Sequence, residues 1–564
     1  MNAIYNNGKI VLVNFTKNYY DTADEILAGE NFREVLRSYL RYIKGKDIDL
    51  EKWAFRNHDE ETVLQDLIRL AKILYVFDVR EIDHEYLGDK KELLAFIEGL
   101  YNYWRKLQRC SLIVDGDSDG LQNFNFIEAD TKYNQLVLGM YRHIEENVNG
   151  KKNNVYRQLN AGSNASIVVK NYSVYLPSRY KKLEKIAFIE SIMLRTPLLL
   201  HPACNKREGV FTERTSNPVT DFEFDENEWL CYPAKVGKLV CFIYFHIDYL
   251  FSALAMANLF ELASERECYS PDLIILFGNQ DGKQEITYYY DKTNDIYVGN
   301  VSYNWKIEYF GYLKKMVLTV HNLKMMKYNY LPLHGSMINV TLKDGTRKGI
   351  VFIGDSGAGK SETIEAMQHL GNEDIAECEV IFDDMGVLHL EGGEVYATGT
   401  EIGAFVRLDD LDKGSAYREM DRSIFFNPET SNARVVIPIV THERLTTNQK
   451  VDMFIYANNY EQKDGMHAFD SWQEAKSVFI EGKRFALGTT QEIGVSTTFF
   501  ANPFGPMQES KKCEGLIDEM FAFMEEKGVL LGEVYTHLGC PDKGMDTLKK
   551  AATAILEEIR KIDD

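Results

Sequence analysis

Of the eight cysteines in this 564-residue chain, no two stand in a C-x-x-C pair. That argues against a zinc knuckle and against a small disulfide scaffold, and leaves reduced thiols in the cytoplasm as the simplest reading. Positive charge is also short. Lys plus Arg number 64 against 85 Asp plus Glu, a formal net charge of −21. A nonspecific nucleic-acid binder carries the opposite sign, so any anionic ligand needs a local basic pocket. The opening MNAIYNNGKIVLVNF has no basic region followed by an apolar run and a cleavage site, so no secretory leader is expected. Internal repeats and low-complexity tracts are missing too. The one long apolar stretch, residues 239–262, is interrupted by His246 and Asp248 and begins with β-branched and aromatic residues. It predicts a buried strand running into a helix, not a membrane span.

What is present is ordinary globular usage, 45% hydrophobic and 26% charged. At about 150 residues per domain the length allows two to four domains. Apolar residues at three-and-four spacing predict helices over 21–44, 60–75 and 92–107, with further helices over 180–194 and 545–562. Residues 149–166, rich in Asn, Gly and Lys, read as a surface loop. From about 331 the pattern turns to strands: RKGIVFIG, CEVIFDD and ARVVIPIV. The expected organisation is a helix-rich region over 1–195, a substrate domain over 196–330 and a nucleotide-binding domain over 331–564, α/β in class.

GDSGAGKS, Gly354 to Ser361, fits G-x-x-x-x-G-K-[ST] with an apolar strand before it and a helix pattern after it. Gly354, Asp355, Ser356, Gly357, Ala358 and Gly359 would wrap phosphate oxygens with backbone N–H groups at a helix N-terminus. Lys360 would reach the outer phosphates and Ser361 a bound Mg²⁺. Asp383 and Asp384 close CEVIFDD, where carboxylates delivered by a strand end would hold Mg²⁺ or Mn²⁺. Asp409 and Asp410 lack such a strand and read as solvated surface. DGDSDG, residues 115–120, opens like a calcium loop, but its twelfth position is Phe126 where a Glu is required, so it reads as a polar turn.

Around this core stand GVFTERTSNP with Arg214, YFGYLKK with Tyr309, Lys314 and Lys315, His334 in LPLHGSMINV, Asn432 with Arg434, and STTFFANPFGP with Thr497. In this order the set resembles the ATP-dependent phosphoenolpyruvate carboxykinases, from about Arg207 onward. The resemblance implies a carboxykinase-type P-loop domain behind a substrate domain, with the active site in the cleft between them. It implies ATP, Mn²⁺ and Mg²⁺ as cofactors, and oxaloacetate and phosphoenolpyruvate as small-molecule partners. Arg214 would hold the substrate carboxylate, Arg434 the substrate or transferring phosphate, and Tyr309 would line the site. Lys315, His334 and Asp384 would ligate Mn²⁺ beside Lys314, and Ser356 and Thr497 would contact the nucleotide.

The chain departs from that family at Ser361, at Thr398 and Gln491 where the family carries cations, and at Glu213 in the arginine run. GDSGAGKSE, HGSMINV and the Asp pair also resemble the kinase/phosphorylase that modifies a serine of the phosphocarrier protein HPr, in which the acidic pair supplies a general base. Three functions therefore stay open: a carboxykinase, a kinase of another small molecule or of a protein serine, and a noncatalytic nucleotide-binding scaffold.

Overall fold

The computed structural model describes the chain apart from residues 1–3, 17–19, 115–125, 152–162, 205, 356, 371–374, 408–421, 429–432, 488–492, 541–544 and 562–564. The polar turn at 115–120, Ser356, Asp409, Asp410, Asn432 and Gln491 lie outside the described residues. The protein is mixed α/β and divides into two compact units. One comprises Met1–Tyr172, Lys185–Leu198 and Asp225–Leu230, the other Ser173–Glu184, Leu199–Phe224 and Cys231–Asp564.

The first unit is a twisted sheet with helices. Its strands β1 (Ile4–Asn6), β2 (Ile10–Asn14), β3 (Gln108–Val114), β4 (Ala165–Lys170) and β5 (Phe188–Leu194) lie side by side in chain order. β2, β3 and β4 run parallel, and β1 and β5 are antiparallel to their neighbours. Parallel neighbours need crossovers. Helices α1 (Ala23–Ala28), α2 (Glu30–Ile43), α3 (Ile48–Phe55), α4 (Glu60–Val76) and α5 (Lys90–Lys106) make the first, and α6 (Phe126–Asn149) makes the second. The three-and-four spacing of Phe32, Val35, Leu36, Tyr39, Leu40 and Ile43 gives α2 one buried face. Asp59 caps α4 by accepting from the N–H groups of Glu61 and Thr62.

Two expectations need correction. Residues 180–194 are not one helix: a 3-10 turn covers Ser178–Lys185 and FIESIML is strand β5. The paired edge of β4 and the isoleucines at 189 and 192 outweigh the helical spacing. The region expected to be helix-rich therefore carries five strands of a larger sheet as well.

In the second unit, strands Leu239–His246, Leu273–Asn279 and Ile296–Ser302 run parallel. Leu239–His246 passes into helix Leu250–Ala255, as its composition predicted. A second sheet of eight strands is centred on Leu331–Leu342, flanked by Ile375–Glu391 and Arg347–Ile353. Helices Lys360–Leu370 and Met545–Lys561 cover one face through Ile364, Met367, Ala551, Ile555 and Ile559 against Ile338, Val340 and Phe352. Three antiparallel strands of a four-stranded sheet, Gly403–Arg407, Ala433–Pro438 and Ser423–Phe426, complete the part that bears the site. Among the described residues no cysteine forms a disulfide. Among the described residues no helix is long and apolar enough to cross a membrane.

Candidate active site

Strand Arg347–Ile353 ends in the Gly354–Gly359 turn, and helix Lys360–Leu370 starts at once after it. Gly357 and Gly359 have φ of 80° and 100°, where an L side chain is strained. At Gly359 a Cβ would also sit 2.7 Å from Thr536. The turn is braced from outside: Asn459 Nδ2 donates to the Gly357 carbonyl at 2.9 Å and Thr536 Oγ1 to that of Ala358 at 2.8 Å. Lys360 Nζ is turned back onto the Gly354 carbonyl at 2.7 Å. Ser361 Oγ donates to Asp383 Oδ2 at 3.2 Å, and Ser336 hydrogen-bonds the same carboxylate.

Asp383 and Asp384 do not close a strand. They lie in the middle of Ile375–Glu391, seventeen residues long. The strand continues because Leu331–Leu342 and Glu394–Gly399 pair with it on both sides beyond the acids. A register shift sits just before the pair, between the partners of Met337 and Ile338, and Asp384 takes a φ of 120°. A bulge and strained backbone re-aim side chains. Here they separate the two acids: Asp383 faces Ser361, while Asp384 meets Lys314 and His334.

Lys314, 2% exposed, lies in the first turn of helix Gly311–Lys327 and is shared by two carboxylates. Its Nζ is 2.5 Å from Asp384 Oδ2 and 3.1 Å from Glu401 Oε1. Burial works against its charge, but Asp384 and Glu401 hold its pKa above the ordinary lysine value. Burial likewise works against the Asp384 carboxylate, yet Lys314 and His334 keep it well below the usual range. Glu401, 1% exposed, is pushed up to about 8 by burial and by Asp384 against the pull of Lys314. Lys315 is pushed down to about 8, first by burial and then by Arg207 and Lys314.

His334, in strand Leu331–Leu342, places Nδ1 3.0 Å from the Ala501 carbonyl and Nε2 2.9 Å from Asp384 Oδ1. A carbonyl only accepts, so Nδ1 carries a proton; Nε2 then faces a carboxylate and needs either a second proton or a cation shared with Asp384. Lys315 Nζ lies 5.1 Å from the Phe504 ring, which is 6.3 Å from the His334 ring. A lysine with a lowered pKa, a proton-oriented imidazole and an ionised carboxylate form a donor set that suits a borderline divalent cation. Ser361 with Asp383 offers the oxygen ligands that Mg²⁺ prefers. Among the described residues no three His, Cys, Asp or Glu side chains form a group that could hold a metal ion.

Phe405 gathers the other predicted residues. Lys314 Nζ is 5.7 Å and the Arg434 guanidinium 5.4 Å from its ring, and the Tyr309 ring is 6.4 Å away. Asp355 links this group to the P-loop, 3.6 Å from His334 Nδ1 and 3.2 Å from Arg484 Nη2. Arg214 stands differently: it donates to Ser216 Oγ at 3.0 Å and lies 3.5 Å from Glu285. None of its described contacts is with Lys314, Lys315 or His334. Thr497 is exposed at the end of strand Ile493–Thr497, and its neighbour Thr498 reaches Asp355 at 3.5 Å. Glu401, Phe405, Arg207 and Arg484 carry no motif, and Phe504 stands inside the STTFFANPFGP run without being singled out by it; only the folded chain brings them to the site.

Residues 238–410 match the family model for phosphoenolpyruvate carboxykinase, ATP type. This part of the chain is related to that family. The span holds Tyr309, Lys314, Lys315, His334, the P-loop, Asp383, Asp384 and Glu401, while Arg214, Arg434 and Thr497 lie outside it. It is narrower than the stretch from Arg207 onward over which the sequence resembles the family. No curated protein matches the chain.

Proposed function

We propose that this protein is an ATP-dependent carboxykinase, which decarboxylates oxaloacetate and transfers the γ-phosphoryl group of ATP to the enolate oxygen, yielding phosphoenolpyruvate. The observation that carries the reading is the group of buried Lys314 and His334 with half-buried Asp384 and Lys315, joined to a P-loop through Asp355. Mn²⁺ and Mg²⁺, held by Lys315, His334 and Asp384 and by Ser361 and Asp383, would polarise the substrate carbonyl and neutralise phosphate charge. The chain's own groups do the rest. P-loop N–H groups take the phosphates, and Lys360 exchanges the Gly354 carbonyl for a phosphate oxygen. Tyr309 and Arg434 orient the substrate beside Phe405, and Arg214 takes its carboxylate. Lys314, fixed by two acids, presents a permanent positive charge where the enolate forms. Ser356 and Thr497 contact the nucleotide. The protein works in the cytoplasm with reduced thiols.

A kinase acting on another acceptor is the second reading. It is favoured by Thr398, a buried neutral residue where the carboxykinases carry a cation, and by the acidic partners of Arg214. Phosphoenolpyruvate formation from oxaloacetate and ATP, with both metals present and Lys360→Ala as control, decides between them. Product that vanishes in the control supports the carboxykinase. No product from protein that binds ATP rejects it in favour of the other kinase.

A further inference from the structure

We propose that the first compact unit holds a binding site for a short aliphatic carboxylate. This is independent of the function proposed for the P-loop site. A cavity of about 60 Å³ lies among α2, α4, α5 and α6, lined by Leu36, Leu70, Phe96, Trp104, Met140 and Ile144 among others. Its walls are almost wholly apolar, and a void of this kind stays dry and accepts hydrocarbon. Two polar groups on its lining residues break the pattern. Trp104 and Tyr101 are 2% and 7% exposed, and among the described residues neither the Trp104 Nε1–H nor the Tyr101 hydroxyl has a hydrogen-bond partner.

Behind Trp104 the chemistry turns basic. The Arg109 guanidinium lies 5.8 Å from the Trp104 ring and is 3% exposed. Its Nη2 donates to Asn134 Oδ1 at 2.9 Å, while its Nε and Nη1 have no partner among the described residues. Arg195 pairs with Asp130 at 2.6 Å and leaves its own Nε unbonded. Arg105 lies in the same field, close enough to feel both Arg195 and Asp130. Asp130 is already occupied, accepting from Arg195, Ser111 and Ser163 and from Asn134 Nδ2 at 3.1 Å.

Arg195 thus pairs with a carboxylate that is already saturated, while Arg109, whose one polar partner among the described residues is Asn134, stands 5.8 Å from Trp104 of the cavity lining. A buried guanidinium lacking an anion is costly, and orphaned buried donors call for a ligand. A carboxylate would meet the free N–H groups of Arg109, which suit its geometry. A chain of a few carbons would fill the cavity past Trp104.

Hexanoate is the probe, added to the full-length protein and followed by tryptophan emission and thermal unfolding. We expect a saturable emission change, absent in Trp104→Phe, with thermal stabilisation retained in that variant. Arg109→Gln, which removes the guanidinium that would hold the carboxylate, should weaken binding by at least about tenfold. Ala71→Leu, which fills the cavity, should abolish it, and Lys360→Ala should leave it unchanged. The proposal falls if hexanol or inorganic phosphate acts as well as hexanoate, or if no response saturates. It falls also if Ala71→Leu binds like the parent protein. The hexanol comparison and Ala71→Leu keep the test decisive even if Arg109→Gln fails to fold.

Discussion

Lys314 is the one cation bonded to both Asp384 and Glu401 among the described residues. Removing one partner of a buried ionic group leaves uncompensated charge, at a cost of about 3–5 kcal/mol. Lys314→Met should therefore lose that much stability in denaturant unfolding, and adding Asp384→Asn, which removes the carboxylate left uncompensated, should restore part of it. A full loss that the second change does not relieve would mean that Lys314 acts through packing alone. His321, on the same helix, allows a separate test. It is 1% exposed, and burial pulls its pKa down to about 4 against the support of Asn322. As pH falls, the unfolded chain takes up this proton first, near pH 6.5. Stability attributable to His321 is therefore intact above that pH and drains away down to about pH 4, by about 3 kcal/mol in all. His321→Gln should flatten this part of the acid-denaturation curve; an unchanged curve would contradict the assignment.

At the scale of the element, the P-loop was legible because strand, glycine turn and helix are consecutive in the chain, and each is dictated by local chemistry. Gly359 illustrates the demand: a φ of 100° and the wall of Thr536 both exclude a side chain. Gly359→Ala should cost about 1–3 kcal/mol of stability and abolish ATP binding, read by thermal shift with and without nucleotide. Retained ATP binding would show that the turn can relax. The segment 188–194 was misread for the opposite reason. Its strand character comes from pairing with Ala165–Lys170, which local spacing does not report. The acid pair shows a third case. Its residues were legible, but its place inside a seventeen-residue strand depends on partners on both sides.

The whole molecule weaves its first unit from three chain segments, so the unit is not a removable N-terminal module. Deleting residues 1–172 would strip β4 from β5 and leave strand Phe188–Leu194 with an open edge. Such an edge templates association. Residues 173–564 expressed alone should therefore elute as aggregate on size exclusion, and a monomer that binds ATP would refute this.

The sequence by itself determined the nucleotide loop, the order of the site motifs, the helices of three-and-four spacing and the acidic balance. These follow from backbone freedom, periodicity and composition, all local properties. The folded structure alone decided that Lys314 is shared between Asp384 and Glu401, that Phe405 gathers Lys314, Tyr309 and Arg434, and that Asp383 and Asp384 serve different neighbours. Those arrangements join residues far apart in the chain, through contacts that exist only once strands pair and helices pack.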